Sequence, residues 1–277
     1  MKRFSLIVSG IFLVILSLYF FGSYFFNNKI AYAKGKLNKK MIAEKKIRAG
    51  LKLGKAEFYS TRLGTNALSC AKCHVYSIGT YIPKVGKVVR SLAGVAAAFP
   101  IFNPKTHQVI TLGERLNMCI RGALKGKPLS GQKLNYLTLY VTFLSNGYKI
   151  KGYNANPAPV YSKASDAHPK TLSQALTLGK HYYDTPLGAS DFSCDSCHPG
   201  GGAGVLGGKP TKPVIGHAVY YPTYKKWGKI ITMQDQFNHC IYTGETGFKK
   251  KIGSKTWRYL DLYVYSLSKG YKISVGK

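Results

Sequence analysis

Acidic side chains are scarce in this chain of 277 residues: 10 aspartates and glutamates stand against 41 lysines and arginines. The formal net charge is therefore +31 at pH 7. A charge of this sign and size favours anionic substrates and acidic protein partners. An alternative explanation for most of the charge is a solvated, lysine-rich surface without any specific partner.

The sequence also lacks convincing strand runs and any strand–helix–strand pattern. Apolar residues instead recur at helical spacing in two places, at Leu134, Leu137, Val141 and Leu144 and at Leu260, Tyr263, Val264 and Leu267. These patterns predict an amphipathic helix that closes each half of the chain and is ended by Gly147 or Gly270. Gly54 and Gly179 lie in the helical stretch that opens each half, where a glycine would let the closing helix cross near its backbone. The predicted fold is mostly α with long loops.

The N-terminus has the features of an export segment. A short basic head is followed by the almost wholly apolar run Phe4–Phe26, and Ala31–Ala33 offers a small-x-small cleavage site. We therefore expect residues 1–33 to be a signal peptide or, if uncleaved, a membrane anchor, because the run is about long enough to span a bilayer. The rest of the chain would lie in the periplasm. Basic charge with many aromatic residues is also typical of nucleic-acid binding, but export and the scattered lysines argue against a nucleic-acid partner.

The two halves of the chain resemble each other. Leu53–His74 matches Leu178–His198, and the identities spaced 124 positions apart include Tyr59, Gly64 and the residues of the cysteine motif. Later features follow in the same order: FPIF and YPTY, ERLNMCI and DQFNHCI, LSNGYKI and LSKGYKI. We interpret this as a tandem duplication. It predicts domain 1 at 45–150, a linker rich in Pro, Ala, Ser and Asn at 151–170, and domain 2 at 171–277.

There are only six cysteines, and four of them lie in two Cys-x-x-Cys-His motifs, Cys70–His74 and Cys194–His198. In an exported chain this motif is the attachment signature of c-type haem. The alternatives, a redox dithiol or half a zinc site, explain neither the adjacent His in both copies nor the missing strand–helix–strand pattern. We therefore expect two covalently bound haem c groups. Their thioether residues would be Cys70, Cys73, Cys194 and Cys197, and their proximal iron ligands His74 and His198.

Each motif is followed by one solitary cysteine, Cys119 or Cys240, just ahead of the closing helix, where a c-type domain usually presents its distal ligand. A thiolate there would stabilise ferric iron and lower the reduction potential. We predict that both cysteines ligate iron. Three alternatives stay open: a disulfide between the two, inert buried thiols, or ligation by a neighbour such as Met118, whose counterpart is His239.

Together these residues resemble the sulfur-oxidation cytochromes, that is, the diheme SoxA proteins and the thiosulfate dehydrogenases of the TsdA type. LGTNALSCAKCH and GERLNMCIRGALKGKPL in the first half are more similar to thiosulfate dehydrogenases, whereas QFNHCI and LDLYVYSLSKGYKI in the second are more similar to SoxA. The extra cysteine in both halves also fits the SoxA pattern.

The resemblance implies two class I-like cytochrome c domains. One Cys-ligated haem would oxidise thiosulfate, either free or presented by a carrier protein. The other would pass electrons to a small cytochrome c, such as a SoxX-like subunit or acceptor, with an acidic docking face. A thiosulfate dehydrogenase that forms tetrathionate is an alternative.

One residue departs from the SoxA pattern, which has an arginine one turn before the C-terminal cysteine, where this chain has Gln236. The first half has Arg115 and Arg121 around Cys119, and arginine suits oxoanions. On charge alone we expect the substrate at the first haem, with Cys119, Arg115 and Arg121 catalytic and Cys240 as the further candidate. The two arginines are alternatively surface cations. Gln236 itself favours another alternative, a non-catalytic diheme electron carrier in which cysteine ligation only sets a low potential.

Overall fold

The computed structural model describes residues 34–74, 91–153, 168–225 and 228–276, and the backbone of 80–82 and 87–89. The predicted export segment 1–33 and most of the predicted linker, 154–167, lie outside the described residues. Two compact units are separated between Lys46 and Ile47. Among the described residues, no helix has both the length and the apolar character needed to cross a bilayer. The larger unit begins at Ile47 and contains both Cys-x-x-Cys-His motifs.

Helices dominate the described residues, as predicted. They are α1 over 34–59, α2 Cys70–His74, α3 Leu112–Gly122, α4 Gly131–Phe143, α5 Leu172–Asp184, α6 Cys194–Cys197, α7 Met233–Thr243 and α8 Lys255–Ser266. In the part of the chain that the structure describes, eight short strands form four antiparallel hairpins: β1 Thr80–Ile82 with β2 Lys87–Val89, β3 Ile101–Asn103 with β4 Gln108–Ile110, β5 Val205–Leu206 with β6 Lys209–Pro210, and β7 Thr223–Lys225 with β8 Lys229–Ile231. Strands of two or three residues are too short to show an alternating pattern, so the sequence did not predict them.

The helices that carry the two solitary cysteines begin in the same way. At the start of α3, Thr111 Oγ1 accepts a hydrogen bond from Glu114 N, and the Glu114 carboxylate accepts one from Thr111 N. Thr232 and Asp235 form the same capping box at the start of α7. A capping box satisfies two of the free N–H groups at a helix start and fixes where the helix begins. It therefore also fixes the positions of Cys119 and Cys240 along the helices.

In each half the opening and closing helices cross at a glycine. A Cβ added at Gly54 would lie 2.0 Å from the carbonyl oxygen of Tyr136 in α4. At Gly179 it would lie 2.2 Å from the carbonyl oxygen of Tyr259 in α8. Only a residue without a side chain permits such an approach, so the predicted role of both glycines is confirmed.

The closing helices α4 and α8 are buried on nearly every side, not on the single face that the apolar spacing predicts. Polar residues share this burial: Asn135 and Thr138 in α4, and Asp261 in α8. The reason is that each closing helix has two buried sides. One side packs against its own half of the chain, and the second packs against the other half. Asn135 Nδ2 donates to the Ile230 carbonyl at 2.9 Å, and Tyr259 Oη donates to the His107 carbonyl at 3.2 Å.

The two chain tails that follow the closing helices exchange backbone hydrogen bonds. Ile150 N donates to Tyr271 O, and Ile273 N donates to Tyr148 O, both at 2.9 Å. Gly147 N likewise donates to Ile273 O, while Gly270 N donates to Ile150 O. The pattern is reciprocal: each half donates to the other half the same hydrogen bonds that it accepts from it.

A second reciprocal contact joins the cysteine helices to the opposite closing helices. Arg258 of α8 forms an ion pair with Glu114 of α3. At the corresponding place Asn135 of α4 donates to Asp235 of α7 at 3.2 Å. The capping carboxylates of α3 and α7 therefore also hold the two halves together.

Asp261 lies fully buried in α8 beside this contact. Gln234 Nε2 donates to its Oδ2 at 3.2 Å, and its Oδ1 has no hydrogen-bond partner among the described residues. Burial and, to a smaller extent, the nearby Glu114 raise the pKa of Asp261 from 3.8 to about 7, against the opposing effect of the hydrogen bond from Gln234. The carboxyl is therefore protonated in the folded protein at mildly acidic pH.

We expect Gly179→Ala to lower the free energy of unfolding by about 1–3 kcal/mol, the usual cost of overpacking, because the new methyl group would overlap the Tyr259 carbonyl. The measurement is denaturant unfolding of the holoprotein. Gly122→Ala in α3, which has nothing within 4 Å of its added Cβ, is the matched control and should not destabilise. Equal effects of the two substitutions would contradict the close crossing.

We expect Asp261 to contribute a component of stability that is lost as pH rises from about 4 to about 7. In this window the folded state holds a proton on Asp261 that the unfolded state has released, and the limiting slope is about 1.4 kcal/mol per pH unit. Asp261→Asn should remove this component in unfolding curves measured at several pH values. Asp191→Asn, at an exposed position, should keep the wild-type profile. An unchanged profile in Asp261→Asn would refute the assignment.

Candidate functional site

The second motif is held in place by hydrogen bonds to its backbone. The short helix α6 begins with a capping box between Ser193 and Ser196. At its end Tyr183 Oη donates to the His198 carbonyl at 2.6 Å. Thr211 Oγ1 donates to the Cys197 carbonyl at 2.6 Å. These bonds fix the direction in which the two thiols and the imidazole leave the chain.

Helix α7 brings Cys240 to this motif. Cys194, Cys197, His198 and Cys240 all line one cavity of about 270 Å³. Much of the remaining wall is apolar and includes Phe237, Trp257, Leu260 and Val264. The structure therefore brings together all four residues that the sequence predicts for the second haem.

In the first half the described residues give the corresponding picture. Burial and then the proximity of Cys119 raise the pKa of Cys70 to about 11. The pKa of Cys73 is raised by the same two causes in the same order. Cys119 thus lies near both thiols of its motif, and His74 ends α2 beside them. Most of the loop that follows His74 lies outside the described residues.

All six cysteines are free, so the alternative of a disulfide between Cys119 and Cys240 is not realised. Met118, the alternative ligand of the first half, is exposed. Its counterpart His239 is half-buried. The two cysteines are therefore the residues that hold equivalent places near both motifs.

His198 is suited to bind a metal. Burial lowers its pKa, which favours the neutral imidazole that ligates metals. Its buried Nδ1 forms no hydrogen bond of ordinary geometry with the described residues. The backbone of Lys212 lies nearby and raises the pKa of His198, which offsets part of the effect of burial.

The sulfur of Cys240 has a hydrogen-bond donor of its own. Gln236, one turn earlier in α7, donates from Nε2 to Cys240 Sγ at 3.3 Å. Tyr221 Oη donates to Gln236 Oε1 at 3.2 Å, which orients the amide. Burial raises the pKa of Cys240, and the hydrogen bond from Gln236 and then the charge of Lys225 offset this rise only in part.

Glu245 is a buried carboxylate beside the second motif that sequence reasoning did not single out. It accepts a hydrogen bond from Leu187 N at 2.9 Å and one from Cys194 Sγ at 3.8 Å. Burial raises its pKa. The corresponding place in the first half belongs to Leu124, since Gly188 meets the Glu245 carbonyl as Gly64 meets the Leu124 carbonyl. The matching contacts of the two glycines identify Glu245 as the counterpart of Leu124.

The two arginines predicted beside Cys119 lie in or at the end of α3 and are exposed. Arg115 lies one turn before Cys119 and so shares its side of the helix. Arg121 lies two residues after Cys119, roughly 200° around the helix axis. Helix geometry therefore brings Arg115, but not Arg121, to the side of α3 that carries Cys119.

The residues of the second cavity fit a covalently attached haem. Two thiols and a buried imidazole nitrogen lie together, a fourth sulfur reaches the same space from α7, and the walls are largely apolar. Thiols and imidazole are the attachment and ligand groups of c-type haems. The donor set thus agrees with the prediction from Cys-x-x-Cys-His.

Comparison with known proteins identifies relatives of this arrangement. A model of the SoxA/TsdA cytochrome c domain matches residues 54–150 and again residues 178–273. The SoxA subunit of the L-cysteine S-thiosulfotransferase from Chlorobaculum thiosulfatiphilum is 28% identical over 195 residues, 69% of this chain and 62% of that protein. A thiosulfate dehydrogenase from Thiomonas intermedia is 34% identical over 96 residues, 32% of this chain and 29% of that protein.

Among solved structures, SoxXA from P. pantotrophus matches with a TM-score of 0.65 and 20% identity, over 83% of this chain and 78% of that chain. At this identity the likeness concerns the fold alone. The chain spans about three fifths of the length of the SoxA relatives that it matches, for example 62% and 58% of two of them.

We expect the oxidised holoprotein to show two low-spin haem signals of thiolate type in electron paramagnetic resonance. Cys119→Ala should remove one signal and Cys240→Ala the other, since each cysteine lies by a different motif. Met118→Leu, at an exposed position next to Cys119, is the control and should keep both signals. Only His/Met or bis-His signals in the wild type would refute cysteine ligation.

Proposed function

The chain belongs to the SoxA/TsdA cytochrome c domain family, and from this premise we propose that it is an exported diheme cytochrome c of thiosulfate oxidation. Within that family we assign it to the SoxA type, whose relatives are subunits of L-cysteine S-thiosulfotransferases. The observation that carries the proposal is the cavity shared by Cys194, Cys197, His198 and Cys240.

We assign one haem c to each half and infer that the halves arose by duplication. The same order of elements supports this: a helix, a motif helix, two hairpins and two further helices occur in each half. Paired details also support it. Asn117 exchanges two hydrogen bonds with Leu129, as Asn238 does with Lys250. The domain bounds 45–150 and 171–277 follow from this inference.

The reaction removes two electrons. The thiol of a carrier cysteine and the outer sulfur of thiosulfate join in one S–S bond, while the thiol proton and two electrons leave. When bound, the two haems supply one-electron acceptors, and an external cytochrome c then takes the electrons away. Two acceptors per chain match the two electrons of one turnover.

The residues of the second half have distinct tasks in this scheme. Cys194 and Cys197 would attach the haem, and His198 would ligate its iron. Cys240 presents sulfur to the same cavity, and Gln236 hydrogen-bonds that sulfur. In the first half Cys70, Cys73, His74 and Cys119 would have the equivalent roles, with Arg115 as a cation one turn before Cys119 on the same side of α3.

The partners follow from charge and compartment. A formal charge of +31 supports docking of proteins with an acidic face, such as a SoxX-like small cytochrome or an acceptor. The export segment 1–33 supports a periplasmic location.

A thiosulfate dehydrogenase is the second candidate, because one relative of that name matches at 34% identity over 96 residues. That reaction joins two thiosulfates into tetrathionate and also releases two electrons. It needs no carrier thiol, which separates the two candidates experimentally.

We expect thiosulfate to reduce the haems of the oxidised holoprotein under anaerobic conditions, in the presence of a cysteine-containing carrier peptide. Absorbance of the haem bands gives the rate, and tetrathionate assays detect the alternative. Replacing the cysteine of the catalytic haem, Cys119→Ala or Cys240→Ala, should lower turnover by about 100-fold or more, the scale of losing one catalytic group. Replacing the other cysteine should mainly shift the reduction potential.

Two results would contradict the proposal. No haem reduction by thiosulfate, with or without carrier, would exclude both candidate activities. Shifted potentials in both variants with equal electron transfer would identify a pure electron carrier.

A further inference from the structure

The cavity that holds Cys240 shares a wall with a basic surface cleft. Lys212, His217 and Lys225 line both the cavity and the outer cleft of about 630 Å³. Lys225 ends strand β7, and its ammonium lies 5.9 Å from the centre of the Tyr221 ring. Each of the three side chains can therefore face both the solvent and the cavity.

Lys212, His217 and Lys225 lie close to one another, and the two lysines carry the positive charge of the cluster. Among the described residues, neither Lys212 nor Lys225 forms a salt bridge. Burial, then Lys225 and Lys212, lower the pKa of His217. Glu245 also lines the cavity, but its carboxylate forms no salt bridge with these lysines and is hydrogen-bonded to Leu187 and Cys194. A half-buried cluster of this kind favours an anion in its midst.

The cluster belongs to the second half only. Strand β3 corresponds to β7, so the position of Lys225 is taken by Asn103 in the first half. His217 begins the turn that corresponds to Val95. Tyr221, which orients Gln236, corresponds to Phe99 and so has a hydroxyl that the first half lacks. Sequence spacing did not reveal these side chains, because they come from a turn and a hairpin well before α7.

We propose that Lys225, with Lys212 and His217, binds the sulfonate end of thiosulfate beside Cys240, and so supplies the cation that this chain lacks at Gln236. The inference rests on the proposed function and assigns its substrate-binding site to the second half. An ammonium offers three donors to oxoanion oxygens, and a bond between charged partners is among the stronger hydrogen bonds. Gln236, being neutral, is left to hydrogen-bond the Cys240 sulfur.

The test is anion binding to the oxidised holoprotein, measured by calorimetry with sulfate, which cannot reduce haem, and by electron paramagnetic resonance of the haem signal assigned to Cys240. Lys225→Met should weaken sulfate binding by about tenfold or more, the scale of one charged hydrogen bond. Lys225→Arg should restore most of it. Lys229→Met, at an exposed position of the same hairpin, is the matched control and should bind as the wild type does.

The inference is overturned if Lys225→Met and Lys229→Met have equal effects, or if Arg115→Ala abolishes binding while Lys225→Met does not. Sulfate binding that depends on Lys225 would support the site even if thiosulfate failed to reduce the haems, which would refute the proposed function alone. Thiosulfate turnover that is unchanged in Lys225→Met would overturn the site and leave the proposed function standing.

Discussion

The close crossing of opening and closing helices at Gly54 and Gly179 is the contact on which the rest of the structure depends. At each glycine the backbone of the opening helix contacts the backbone of the closing helix directly, so the two helices form one rigid pair in each half. In the second half that pair supplies walls of the Cys240 cavity, through Trp257, Leu260 and Val264 of α8. Tyr183, one turn after Gly179, holds the carbonyl of His198.

The capping carboxylates connect the helices of each half to the closing helix of the other half. Glu114 and Asp235 each start the helix that carries a solitary cysteine, and each also bonds to the closing helix of the opposite half. One side chain thus sets both the start of a helix and the contact between halves. The neighbouring Asp261 is the polar group that this arrangement leaves buried with one oxygen unpaired among the described residues.

The sequence predicted the features whose residues lie close together along the chain or recur in both halves. Cys-x-x-Cys-His, the approach of a later cysteine and the glycine crossings were all predicted. Helical spacing could not reveal the second buried side of α4 and α8, because the partner surface comes from the other half. Three-residue hairpins give no period to detect. Lys225 and Glu245 reach the cavity from a hairpin and from a helix end. Their separation from the cysteine motif in the sequence does not indicate how close they lie to it in the fold.

The exchanged hydrogen bonds of the two tails make each half dependent on the other. Ile150 and Ile273 each donate to, and accept from, the tail of the other half. A single half alone would leave these backbone groups without partners. A second copy related by a two-fold axis would pair all of them, as in an isologous dimer. The contact between the two tails therefore has the reciprocal form of a homodimer interface, although both sides of it belong to one chain.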